Sequence, residues 1–133
     1  MKLVYPAVFT PDSEVGGYTV VFPDLPGCIT EGDTLNDSIT MAQDAAGGWL
    51  VPEVEKGEKL PEATPINEVL TSDPSDFVSL IQIDMNYYLS KYGKEKVRKN
   101  LTIPAWLNSF AEERHINFSK VLTDALTEMY AKV

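Results

Sequence analysis

The polar side chains just before residue 104 have the types and the spacing needed to bind nucleic acid. In KVRKNLTIPAWLNSF, residues 96–110, every second residue over the first seven is polar: Lys96, Arg98, Asn100 and Thr102. Alternate side chains of a β-strand point to the same face. Arg can donate two hydrogen bonds to guanine, Asn can pair with adenine, and Thr can bond to a base or contact a thymine methyl group. A strand here would therefore present a face suited to phosphates and base edges.

The residues behind and after this face predict two helices and a need for a partner. The opposite face of the strand would be apolar, with Val97, Leu101 and Ile103. Pro104 ends the strand, a helix is predicted over 105–114, and Asn117 is placed to cap a second helix over 118–130. One strand and two short helices cannot bury their own apolar faces, so dimerisation is implied. The alternative is an edge strand kept soluble by its Lys and Arg residues.

The charge of the chain is divided between its two parts. The 133 residues carry a formal net charge of −9. Residues 1–95 hold 5 Lys against 16 Asp and Glu, a net charge of −11, whereas residues 96–133 hold 6 Lys and Arg against 4 acids, a net charge of +2. An acidic part suits a basic protein partner and a basic part suits phosphate. The alternative is that the acids only keep the protein soluble.

Several classes of protein are disfavoured by composition. No apolar run reaches the about 18 residues of a membrane span, and the N-terminus lacks a signal-peptide pattern, so a cytoplasmic protein is expected. One cysteine, Cys28, and one histidine, His115, provide no zinc ligand set. Cys28 is expected to be a small buried residue, and His115 an exposed residue in a turn between helices. A reactive thiol at Cys28 and a general base at His115 are the less favoured interpretations.

The first part of the chain predicts a small α+β fold, over residues 1–92. LVYPAVF, residues 3–9, and GYTVVFPDLPG form a hairpin around the turn DSEVGG, and CITEGDT gives a third strand ending at Gly32. Asp33 or Thr34 can cap a helix over 35–50, in which Gly47 and Gly48 predict close packing against the sheet or a bend.

A proline-rich segment separates this helix from the last strand. Residues 51–75 are predicted to be a loop, although residues 53–57 can extend the helix beyond a kink at Pro52. DFVSLIQIDM returns to strand character, and NYYLSKYG is a short helix stopped by Gly93. The sheet should be mainly antiparallel with one packed helix.

Carboxylates in this part raise the question of a metal-dependent enzyme. The candidates for metal ligands are Asp24, Glu31, Asp33, Asp44 and Asp84. Their spacing matches no known metal motif, and aspartates in turns usually bond to the backbone, as expected of Asp24 before LPG. No catalytic residue, metal or cofactor is therefore predicted.

The order strand, helix, helix in VRKNLTIPAWLNSFAEERHINFSKVLTDAL resembles the ribbon-helix-helix DNA-binding family. In that family two chains pair their strands into an antiparallel ribbon that enters the major groove. The resemblance implies a homodimer through residues 96–133, and leaves open whether dimers pair into a tetramer. It implies that Arg98, Asn100 and Thr102 face bases, that Lys96 shares their face, and that backbone N–H groups at Phe118 and Ser119 hold a phosphate.

The first part carries a second resemblance. VVFPDLPGCITEGDTLNDSITMAQDAAGGWL, residues 20–50, together with YPAVF upstream, resembles the HicB-type antitoxin domain, which is related in architecture to part of the ribonuclease H fold. The resemblance implies an antitoxin that binds and masks a HicA-type, mRNA-cleaving toxin and represses its own operon at an inverted-repeat operator. The alternative function is a stand-alone ribbon-helix-helix transcription regulator whose first domain senses a small ligand.

Overall fold

The computed structural model of the chain describes all residues, 1–133. They form two compact units: Lys2–Gly93, and Lys94–Val133 together with Met1. None of the helices combines the length and the apolarity needed to cross a membrane.

A four-stranded sheet forms the centre of the unit Lys2–Gly93. Its strands are β1 Lys2–Pro11, β2 Tyr18–Val21, β3 Ile29–Gly32 and β4 Phe77–Asp84. The strand order is β3-β2-β1-β4, and every neighbouring pair is antiparallel. With the helices of both units, this confirms the predicted α+β class and the antiparallel sheet. The likeness to ribonuclease H stays a prediction.

The β1–β2 hairpin forms as its turn residues predict. The Asp12 carboxylate accepts hydrogen bonds from the N–H groups of Glu14 and Val15. Gly16 and Gly17 adopt φ of 77° and 82°, a region that residues with a Cβ rarely occupy. The local chemistry of DSEVGG is therefore sufficient to reverse the chain.

A proline inside β1 is tolerated because of where β2 ends. Pro6 has no N–H group and would interrupt a strand with ladders on both sides. The ladder between β1 and β2 covers Val8 to Pro11 of β1 only, whereas the ladder with β4 covers Lys2 to Phe9. Pro6 therefore lies where β1 has a neighbour on one side.

One long helix covers one face of the sheet. Helix α1 spans Leu35–Glu55, and the Thr34 hydroxyl caps it by accepting from the N–H of Asp37 at 3.0 Å. The side chains buried at this interface are Tyr5, Ala7, Phe9, Val20, Ile81 and Ile83 from the sheet and Ala42, Ala46 and Leu50 from the helix. Small residues on the helix allow it to approach the sheet closely, so the core of this unit lies between the two layers.

The end of α1 differs from the expected one. The loop was predicted to begin at residue 51, but the helix continues through Pro52 to Glu55. Pro52 lies in the last turn, where it costs one hydrogen bond at most, and the N–H of Lys56 still bonds to its carbonyl at 3.0 Å. The extension beyond Pro52, held open as an alternative, is therefore the one observed.

The packing partner of Gly47 also differs. The sequence predicts contact with the sheet or a bend, whereas Gly47 faces the ring of Tyr88 in the short helix α2, Met85–Tyr92. A Cβ at residue 47 would lie closer than 3.0 Å to three carbons of that ring. Gly47 therefore serves helix–helix packing, and α2 stops at Gly93 as predicted.

The unit Lys94–Val133 contains the two predicted helices, α3 Ala105–Glu113 and α4 Phe118–Ala131. The Asn117 side chain caps α4 by accepting from the N–H of Lys120, which confirms the predicted cap. His115 is exposed in the turn and adopts a positive φ of 54°, a conformation that the sequence did not indicate.

The strand expected over 97–103 is absent from the single chain. Residues 93–104 form no ladder, and all four strands belong to the other unit. A strand exists only where a second strand takes up its backbone hydrogen bonds, and this unit offers none. The strand therefore stays a prediction for a pair of chains.

Replacing Gly47 by Ala should destabilise the protein, whereas the same change at Gly48 should not. The new methyl group at residue 47 must displace the buried Tyr88 ring, which should lower the free energy of unfolding by about 1–3 kcal/mol. Gly48 has no neighbour within 4 Å, so Gly48→Ala should raise that free energy by about 0.5–1 kcal/mol through helix propensity. Urea unfolding at one protein concentration measures both, and equal effects would contradict the packing described.

Candidate functional site

The polar residues predicted to contact nucleic acid lie on an open segment. Lys96, Arg98, Asn100 and Thr102 are all exposed, between Gly93 and the start of α3. The neighbouring Lys99 is exposed as well. Because this segment pairs with no other strand, the structure does not define one face that these four side chains share. Their assignment to bases or phosphates therefore stays a prediction.

The remaining cations of this unit are partly neutralised. Lys120 forms an ion pair with Asp124 at 2.8 Å, and Lys132 one with Glu128 at 3.9 Å, each one helical turn apart. The hydrogen bond and the charge of Asp124 raise the pKa of Lys120. The cations of this unit for which the structure gives no such ion pair are Lys94, Lys96, Arg98, Lys99 and Arg114, and four of these five lie within residues 94–99.

The first turn of α4 provides backbone donors beside this unit's cations. Asn117 takes up the N–H of Lys120 with its side chain and the N–H of Val121 with its carbonyl. Phe118 and Ser119 come before these residues, where a helix has no internal acceptor for its N–H groups. The N–H groups of Phe118 and Ser119 are therefore available to an anion, in agreement with the phosphate contact that the resemblance implies.

The helices α3 and α4 leave most of their apolar side chains uncovered. Ala111 is the one hydrophobic residue of this unit that is fully buried. The exposed ones are Val97, Leu101, Ile103, Trp106, Leu107, Phe110, Phe118, Val121, Leu126 and Met129. Trp106 is 73% and Val97 82% exposed, values unusual for residues of this size in a folded unit. The unit is therefore incomplete without a partner surface.

The carboxylates considered as metal ligands do not gather. No three His, Cys, Asp or Glu residues lie close enough to hold a metal ion. Asp44 pairs with Lys91 at 3.4 Å, Asp84 caps α2 by accepting from the N–H of Asn86, and Glu31 and Asp33 are exposed.

Asp24 has a different role from the local turn former that the sequence predicts. One of its oxygens accepts from the Thr64 hydroxyl at 2.6 Å, and the other from the Thr64 N–H at 2.9 Å. The Tyr5 hydroxyl donates to the Pro61 carbonyl at 2.6 Å, so the proline-rich segment is attached at two points. Burial, with the nearby Asp24 charge, raises the pKa of Tyr5. Because 40 residues separate Asp24 from Thr64, no local signal could have revealed this contact.

Cys28 is buried, as predicted, next to the turn that follows β2. Burial raises the pKa of its thiol, which disfavours the reactive thiolate.

A comparison of the sequence with known families matches residues 5–125 to a family described as the HicB-like antitoxin of bacterial toxin-antitoxin systems. The matched range includes β1 from its fourth residue, the other three strands, helices α1 to α3 and the first half of α4. The chain belongs to this family. The family is one of antitoxins in bacterial toxin-antitoxin systems.

Individual relatives of this HicB-like chain agree with the family match. An uncharacterised 14.9 kDa protein from the rep-hol intergenic region of Haemophilus phage HP1 is 34% identical over 93 residues, 68% of this chain and 67% of the phage protein. Antitoxin HicB 1 of Photorhabdus laumondii is 35% identical over 77 residues, 58% of this chain and 49% of that antitoxin. The chain thus spans about half the length of that curated antitoxin.

A solved toxin-antitoxin complex from Streptococcus pneumoniae contains a chain with the same fold. The likeness covers 97% of this chain and 99% of the other, with a TM-score of 0.62 and 27% identity. The sheet and helices described above therefore match a HicB-like fold.

Asp24→Ala should release the proline-rich segment of this HicB-like unit. Both Thr64 donors would lose their acceptor, at a cost of about 1–3 kcal/mol. Trypsin should then cleave after Lys56 and Lys59 faster than in the wild type, as followed by mass spectrometry. Asp73→Ala is the matched control, since the Asp73 carboxylate accepts only from Ser75, two residues away. Equal cleavage of the two variants would show that Asp24 is not an anchor.

Proposed function

We propose that the chain is the antitoxin of a HicBA-type system, which binds and masks a HicA-type, mRNA-cleaving toxin and represses its own operon by binding operator DNA. The observation that carries this proposal is the family match over residues 5–125, which extends across both compact units. In this proposal the unit Lys2–Gly93 binds the toxin, and the unit Lys94–Val133 forms the dimer and binds DNA.

The charge of the first unit supports a basic protein as its partner. Residues 1–95 carry a net charge of −11. Complementary charge speeds the encounter of two proteins and disfavours wrong partners. A surface with this charge repels nucleic acid, so DNA binding falls to the second unit.

Two features of the second unit support a dimeric DNA-binding domain of the ribbon-helix-helix kind. The apolar side chains of α3 and α4 need a partner surface. The segment 96–103 has strand character but no strand to pair with. A second copy of the chain satisfies both needs, because two such segments can pair antiparallel about a two-fold axis while the helices cover one another. The ribbon then presents Arg98, Asn100 and Thr102 twice, to an operator that is an inverted repeat.

The stand-alone regulator with a ligand-sensing domain is not favoured, because the family found is one of toxin-antitoxin systems. The proposed setting is the cytoplasm, where the toxin's RNA substrate and the operator both lie.

Truncation after Gly93 should separate the two activities. Residues 1–93 should sediment as a monomer, bind the purified toxin and protect cells from it, but fail to bind the operator, since the dimerising unit is missing. The full chain is the control and should sediment as a dimer or tetramer. A folded truncation that sediments as a stable dimer, or that fails to bind the toxin, would contradict this division of labour.

Arg98→Ala and Lys96→Ala should differ in their effect on DNA binding. If Arg98 contacts a base, its loss should cost about 1–3 kcal/mol on the operator and much less on random DNA. If Lys96 contacts only phosphate, its loss should weaken binding to both DNAs alike and lower the salt slope by about one unit. Titrations of operator and random DNA at several salt concentrations measure this. Equal loss on both DNAs for Arg98→Ala would show that Arg98 acts only as a charge.

A further inference from the structure

The sheet of the unit Lys2–Gly93 has a second face, opposite the one that α1 covers. Directly opposed residues of antiparallel strands place their side chains on the same face. The register therefore assigns to this face the residues Lys2, Val4, Pro6, Val8 and Thr10 of β1, Thr19 and Val21 of β2, Ile29 and Glu31 of β3, and Val78, Leu80, Gln82 and Asp84 of β4. We call it the open face.

The apolar residues of the open face are contiguous. Ile29 lies opposite Val21, Val21 opposite Val8, and Val8 opposite Val78, which makes one apolar row across all four strands. Leu80, whose partner Pro6 is buried, extends the patch along β4.

This patch is exposed where an antiparallel sheet normally turns a polar face to water. Ile29 is 61% exposed and Leu80 53%, Val4 and Val21 are exposed as well, and Val8 and Val78 between them are half-buried. A solvent-facing sheet is expected to alternate apolar residues inside with polar residues outside. Four strands contribute to one exposed apolar patch, which is the pattern of an interaction surface rather than of scattered surface residues.

Acidic residues lie on two sides of the patch. On one side, Glu31 opposes Thr19, Thr19 opposes Thr10, and the Thr10 hydroxyl donates to Asp76 at 2.7 Å. On the other side, Asp84 opposes Lys2 at the far end of β1. An apolar centre with a charged rim is the usual anatomy of a protein interface.

We propose that the open face is the surface on which this chain binds its toxin. The occupant is a basic protein that places apolar side chains against the row from Ile29 to Val78 and cationic side chains near Glu31, Asp76 and Asp84. A second copy of the chain, also acidic, would bring like charges together at the rim, and nucleic acid would be repelled by them. The identification of the occupant as the toxin rests on the function proposed above, whereas the surface rests on the sheet register and exposure.

Single substitutions in the full-length chain test this surface. Leu80→Arg and Ile29→Arg place a cation in the apolar patch on two different strands, at exposed positions where the fold should persist. Each should weaken binding to the purified HicA-type toxin by about 30-fold or more, the loss expected at the centre of an interface. Leu70→Arg is the matched control, with the same change at a residue 91% exposed in the proline-rich segment, and should leave the affinity within about 2-fold. Binding is measured by calorimetry and folding by circular dichroism.

Hydroxyl-radical footprinting of the unmodified chain gives a test that does not depend on the variants folding. Addition of toxin should protect Leu80, Ile29 and Val21 from oxidation several-fold and leave Leu70 unchanged. If the wild type binds toxin but these residues are unprotected and both variants bind normally, the open face is not the toxin site and the proposed function stands. If the wild type binds no toxin, the proposed function itself fails. Protection that rises with the concentration of the chain alone would identify a self-association surface and overturn the proposal.

Discussion

The chain has more apolar surface than its own helices and strands can cover, and both compact units show the consequence. In Lys2–Gly93, one long helix covers one face of a four-stranded sheet and leaves Ile29, Val21 and Leu80 exposed on the other. In Lys94–Val133, two helices bury a single hydrophobic residue between them. Burial of apolar area is the dominant favourable contribution to folding and association, at roughly 25 cal/mol per Å². Each unit is therefore most stable when a partner supplies the missing layer.

Charge then distinguishes the two partners. The sheet unit combines its exposed apolar row with a strongly acidic surface, which suits a basic protein. The helical unit carries a small positive net charge, most of its cations without an ion pair lie in one exposed segment, and its apolar helices can be covered by a second copy. Apolar burial supplies the stability of both contacts, and electrostatics selects the partner of each.

The parts of the fold that depend on local chemistry could be predicted from the sequence. The turn at Gly16 and Gly17, the caps at Thr34 and Asn117 and the helix stop at Gly93 follow from residue type and immediate neighbours. The contacts that were missed join residues far apart: Asp24 with Thr64, and Gly47 with Tyr88.

For the candidate sites, too, the local pattern could be predicted from the sequence and the long-range arrangement could not. The alternation at residues 96–102 is visible in the sequence, but which face a strand presents is decided by its pairing, and that pairing lies outside one chain. The open face could not be recognised from the sequence, because both faces of β1 are apolar and only the three-dimensional position of α1 shows which of them is covered.

In the proposed function, the open segment 93–104 would link DNA recognition to dimer formation. Ordering a residue of an open segment costs about 1–2 kcal/mol of backbone entropy, whereas a ladder hydrogen bond contributes a net of about 0.5–1.5 kcal/mol. A ribbon made of ladder bonds alone would therefore be marginal, as isolated two-stranded hairpins are. In the proposed dimer the remaining stabilisation must come from apolar burial by residues such as Trp106, Leu107 and Phe110, which are exposed in the single chain. Helix packing and ribbon formation then become one cooperative event. A face that places Arg98, Asn100 and Thr102 in register exists only after that event, so the single chain presents these residues without the geometry needed to read a base sequence.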